Sequence, residues 1–154
     1  MAKKQNFLSI EKKLNESTLS KHQVLDITDD LFLLIQIDDE LEKNLLNELR
    51  STFLETLTRL NMLDLMQNQM NYAIKIADAP GKLLYEEMHK LFSLCDTIHA
   101  LESLGLNSDN QLKELYETSI KNRFVTEKKK ARMVAEDKFE DRKSDFWWYK
   151  EILF

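Results

Sequence analysis

Glycine and proline are almost missing from this chain, with two glycines and one proline among 154 residues. Ordinary usage of about 7% Gly and 5% Pro would give roughly eighteen. Between Met1 and Ala79 there is neither. Sheet proteins need turn residues at frequent intervals, so this scarcity argues against them. Isolated glycines cannot form a phosphate-cradling loop, and Gly81 and Gly105 stand alone. Cysteine is scarce too. The single Cys95 cannot make an intramolecular disulfide, which fits a reducing compartment and a cytoplasmic location. Long apolar runs are also lacking: the longest, Leu31 to Ile35, is far too short to span a bilayer. The basic N-terminus is not followed by an apolar stretch of signal-peptide length.

What remains is 43% apolar and 32% charged, a mixture that at this length suits one helical domain able to bury a core without metals or disulfides. The expected fold is all-α, an antiparallel bundle of three to four long helices with an extended, charged C-terminal helix and an aromatic tail. Phe7, Leu8, Ile10 and Leu14 fit a short first helix, with a break over Asn15-Glu16-Ser17-Thr18. Thr28-Asp29-Asp30 reads as an N-cap with carboxylates on the positive end of the helix dipole. Leu31, Leu34, Leu41, Leu45, Leu49, Phe53, Leu57 and Leu60 follow at mostly helical spacing. The region 28–78 is therefore one long helix, or two with a tight joint.

Ala79-Pro80-Gly81 is the clearest turn. The next helix is expected over 82–104 with a seam of Leu84, Met88, Leu91, Cys95 and Ile98, ending in a glycine C-cap at Gly105 with Leu106 beyond. The last is expected over 108–143, opened by a Ser108–Gln111 capping box. Its inner face is Leu112, Leu115, Tyr116, Ser119, Ile120 and Phe124. The apolar face thins after Val125, so the helix is expected to project there. The resulting division is a basic segment 1–27, a bundle core 28–125, and a projecting helix with a docking segment at 126–154.

Catalytic and metal patterns are weak. Glu86-x-x-His89 and Asp96-x-x-His99 lie on one expected helix, about 15 Å apart and on different faces. Di-iron bundles need such motifs on facing helices. Cys95 and His99 are neighbours at i,i+4, but a thiol in an apolar seam has a raised pKa and is inert. Asp38, Asp39, Glu40 and Glu42 form a charge run on a solvated face. The expectation is no enzyme, no catalytic residue, no cofactor and no metal.

Charge is distributed unevenly. The net −5 conceals −10 over residues 28–120 and +4 over 121–143, where nine Lys and Arg meet five Asp and Glu. Lys121, Arg123, Lys128, Lys129, Lys130, Arg132, Lys138, Arg142 and Lys143 are candidates for contact with an acidic partner or with nucleic-acid phosphates. The chain then ends in aromatics. Phe146, Trp147, Trp148, Tyr149, Ile152, Leu153 and Phe154 form a candidate partner-binding segment, because Trp and Tyr dominate interface energetics. The expected function is a non-enzymatic interaction protein, an adaptor, chaperone or assembly subunit whose partner is another protein or a second copy. The alternative is a nucleic-acid-binding accessory subunit using the basic helix 121–143.

Overall fold

A computed structural model of the chain describes residues 2–16, 18–37 and 43–138. They form seven helices and, among the described residues, no strand. The chain divides into two compact units: 1–65 with 100–107, and 66–99 with 108–154.

The first unit contains α1 (Ala2–Leu14), α2 (Lys21–Ile37) and α3 (Lys43–Arg59). The first of these packs on the other two. Ile10, Leu14, Leu19, Val24, Ile27, Leu31, Leu49, Phe53 and Leu57 are buried. The final carbonyl of α1 would otherwise lack a partner. The Arg59 guanidinium donates to Leu14 O at 3.0 Å, and Thr56 Oγ1 shares its proton between Leu14 O (3.1 Å) and Thr52 O (2.8 Å).

The start of α2 differs from the expected cap at residue 28. Ser20 and Gln23 form a capping box, with Gln23 N–H donating to Ser20 Oγ and Ser20 N–H to Gln23 Oε1. The helix has therefore run two turns before Thr28, which lies buried in mid-helix and donates its hydroxyl to Val24 O at 2.8 Å. Nor is the region 28–78 one long helix. After α3 the chain stops at Asn61, in the left-handed region at φ 57. Met62 N–H bonds Leu57 O at 2.8 Å and Asn61 N–H bonds Thr58 O at 3.1 Å, the paired bonds of a Schellman motif. Gly105, at φ 98, ends α5 the same way, with bonds from Leu106 N–H to Leu101 O and from Gly105 N–H to Glu102 O. The expected glycine cap is present there.

The second unit takes its helices from α4 (Leu65–Ala77), α5 (Tyr85–Ser103), α6 (Asn110–Thr126) and α7 (Lys128–Lys138), apart from Leu65 and residues 100–103. Met66, Met70, Ala73 and Ala77 line one side of α4 at steps of four, three and four, and all are buried. Met88, Leu91, Cys95 and Ile98 on α5 are buried as expected, and Phe92 stacks on Phe124 with centroids 4.4 Å apart. Leu84 departs from the expected seam: it precedes the helix, so helical phase does not reach it, and Leu83 is buried in its place.

The cap of α6 is Asp109 rather than Ser108, its carboxylate accepting from Gln111 N–H. Leu115, expected inside, is exposed because the buried face follows Tyr116, Ile120 and Phe124. Beyond Val125 the helix does not leave the unit at once: Glu127, Ala131, Val134 and Ala135 continue the buried face.

Candidate interaction surface

One acidic side chain organises the second unit. Glu127 sits between α6 and α7 at φ −117, ψ 43. Hydrogen bonds from Glu127 N–H to Arg123 O and from Ala131 N–H to Glu127 O, both 3.0 Å, close α6 and open α7 on this residue. Its side chain is only 6% exposed. The carboxylate accepts from Leu83 N–H at 3.2 Å, Arg123 Nη1 at 2.9 Å and Lys130 Nζ at 3.3 Å. Burial alone would push this carboxyl up. The backbone N–H and the two cations outweigh burial and hold it below its ordinary value.

The same cations grip the turn that contains the only proline. Arg123 Nε donates to Ala77 O at 2.7 Å, Nη1 to Gly81 O at 2.7 Å, and Nη2 to Ala79 O. Lys130 Nζ donates to Leu83 O. Ser119 Oγ lies 3.3 Å from Asp78 Oδ2, and Tyr85 Oη donates to Asp137 Oδ2 at 2.8 Å. The contacts advance in step. Ser119, Arg123, Glu127, Lys130 and Asp137 meet 78, 77–81, 83, 83 and 85, so the segment 77–85 runs alongside α6 and α7. A guanidinium suits this task because its planar fork reaches several carbonyls at once.

This arrangement divides the nine candidate cations. Arg123 and Lys130 are turned toward the turn and Glu127. Lys121, Lys128, Lys129 and Arg132 are exposed. At about 100° per residue within each helix, Lys121 and Val125 of α6 lie away from buried Ile120 and Phe124, and Lys129 and Arg132 of α7 lie away from buried Ala131 and Val134, with Lys128 exposed at the start of α7. Val125 is 56% exposed, and Met133 at the edge of the same face is 52% exposed. Between 118 and 135 the only carboxylate in the chain is Glu127, and it points inward. The outward surface of that stretch therefore carries cations and apolar groups with no acid among them.

The Lys138 side chain, Arg142, Lys143 and the aromatic candidates Phe146, Trp147, Trp148, Tyr149, Ile152, Leu153 and Phe154 lie outside the described residues, as does the acidic run 38–42. Cys95 is buried, and burial pushes its thiol up to about 12. Among the described residues there is no cluster of three His, Cys, Asp or Glu side chains suited to a metal, and no helix long and apolar enough to cross a membrane.

Compared with known proteins, the chain matches no family model, no curated protein and no solved structure. The functional reading rests on the residues themselves.

Proposed function

We propose that this chain is a non-enzymatic helical interaction protein of the cytoplasm, an adaptor, chaperone or assembly subunit that docks on a protein partner through its aromatic end, residues 146–154. The observation that supports a protein partner is the outward face of α6 and α7. There Val125 and Met133 stand exposed among Lys121, Lys128 and Lys129. A surface that only neutralises phosphates has no use for solvated aliphatic groups between its cations, whereas a protein interface combines both.

The second reading, a nucleic-acid-binding accessory subunit, is favoured by one feature: the absence of carboxylates from the outward side of 118–135. The overall charge of −5 opposes it.

The test is capture of the tagged chain from its native cells, with and without nuclease. A protein that co-purifies at fixed stoichiometry, survives nuclease, and is lost when residues 145–154 are deleted supports the first reading. Loss of every partner on nuclease treatment overturns it and supports the second.

A further inference from the structure

The outward face of α6 and α7 has the chemistry of a docking strip for one kind of partner. Its cations run from Lys121 on α6 to Lys128, Lys129 and Arg132 on α7. Val125 stands exposed on α6 and Met133 on α7. Between Glu117 and Glu136, which border the strip at its two ends, the one carboxylate is Glu127, and it is held inward by Leu83 N–H, Arg123 and Lys130. The complement of such a surface is a helix with a narrow apolar stripe flanked by Asp or Glu. Its stripe would cover Val125 and Met133, while its carboxylates would meet Lys121, Lys128 and Lys129.

We infer that the face formed by Lys121, Val125, Lys128, Lys129 and Met133 binds an acidic amphipathic helix of a partner protein. This rests on the interaction-protein reading and adds a second surface to it, separate from the aromatic end. The backing favours recognition of a defined shape. Arg123 and Glu127 fix α6, and Lys130 fixes α7, to the 77–83 segment, so the strip is presented on a rigid support and little ordering accompanies binding.

The experiment uses the full chain and three fluorescent probes at about 50 mM salt, a permissive condition for charged contacts. The probes are a synthetic helical peptide with a leucine stripe flanked by glutamates, a scrambled peptide of the same composition, and a DNA duplex. Anisotropy should show the striped peptide binding at least about tenfold more tightly than the scramble, since only the stripe can cover Val125 and Met133. Val125→Ser should weaken the striped peptide about fivefold. Combined Lys121→Glu, Lys128→Glu and Lys129→Glu should abolish binding, with circular dichroism unchanged because all three side chains are exposed.

Equal binding of the two peptides would mean that charge alone attracts them, and the inference falls. Duplex binding that is insensitive to Val125→Ser and steeply salt-dependent overturns both this inference and the protein-docking reading. If no probe binds, while a captured complex survives both nuclease and the lysine reversals, this inference alone fails.

Discussion

Replacing Arg123 by alanine should destabilise the second unit by about 3 kcal/mol, the low end of what removing one partner of a buried ion pair costs. The low end applies because Lys130 still stands 3.3 Å from the Glu127 carboxylate and half compensates it. Arg123 is 11% exposed and donates to three backbone carbonyls as well as to Glu127. Water can replace it at exposed Gly81. It cannot easily do so at buried Ala77, where a lost bond contributes about 1 kcal/mol of the total. For a chain of this size, about 3 kcal/mol corresponds to a fall in melting temperature of about 6–12 °C.

Three comparisons isolate the mechanism. Arg123→Lys should recover less than half the loss, because a single ammonium cannot reach the carboxylate and the separated carbonyls together. Glu127→Gln, which keeps an acceptor for Leu83 N–H and removes only the charge, should cost about 1–2 kcal/mol. The Arg123→Ala, Glu127→Ala double variant should lose less than the two singles combined, with a coupling of about 1–3 kcal/mol. Urea denaturation followed by circular dichroism measures each quantity. Hydrogen exchange at Leu83 N–H reports whether the loss is local to the gripped segment. An Arg123→Ala protein within about 0.5 kcal/mol of the parent, the ordinary range for surface positions, would refute the claim that this cluster organises the unit.

The pH dependence follows from the same carboxylate. Glu127 has a lower pKa folded than unfolded, so its contribution is complete at neutral pH and is lost as pH falls from its unfolded value, near 4.5, through its folded one. The stability gap between the parent and Glu127→Gln should therefore shrink below about pH 4.5 on denaturation curves, and a constant gap would contradict the linkage. At Asn61, φ 57 predicts that Asn61→Gly stabilises by about 0.5 kcal/mol and Asn61→Ala destabilises by about 1 kcal/mol, both read from urea midpoints. Gly105→Ala should cost about 1–2 kcal/mol from its φ of 98 alone, since an added Cβ would meet only Leu54 Cδ1, at an ordinary 3.8 Å. Cys95, fully buried with its thiol raised to about 12, should resist thiol reagents in the native protein and react on unfolding, and rapid native labelling would place it nearer solvent.

The helices were legible where a local signal is unambiguous, and were misplaced where two local signals compete. Pro80 with Gly81, and Gly105 followed by Leu106, mark helix breaks by backbone chemistry alone, and the helices break at both places with the glycines at positive φ. Asn61 performs the same task as Gly105 but is a commoner residue, and unbroken leucine spacing through Leu57 and Leu60 masked it. Thr28-Asp29-Asp30 has the composition of a cap without its position. The capping box at Ser20 and Gln23 lies two turns upstream, and only one of the two can begin the helix. Leu84 and Leu115 fail for a related reason. Periodicity names a stripe, but which neighbour faces inward depends on where the helix starts and on what packs against it.

The candidate surface was half legible, and the missing half decides its meaning. From composition, Glu127 is one acid diluting a basic run, and nine cations look alike. In three dimensions Arg123 at the end of α6, Glu127 at the joint and Lys130 on α7 all meet the 77–83 segment forty or more residues away in sequence. No local pattern announces that segment as their partner, because what they bind is backbone carbonyl and amide, which every residue carries. The consequence reaches the opposite face. By drawing the single acid of 118–135 inward together with two of its cations, the cluster leaves Lys121, Lys128 and Lys129 outward around Val125. The interior contact and the exterior surface are thus two sides of one arrangement. Releasing Glu127 would loosen the 77–83 segment and with it the backing that holds the outward face in shape. The Arg123→Ala variant should therefore weaken the glutamate-flanked peptide several-fold although Arg123 never touches it, and unchanged affinity in a variant with a loosened turn would separate the two faces.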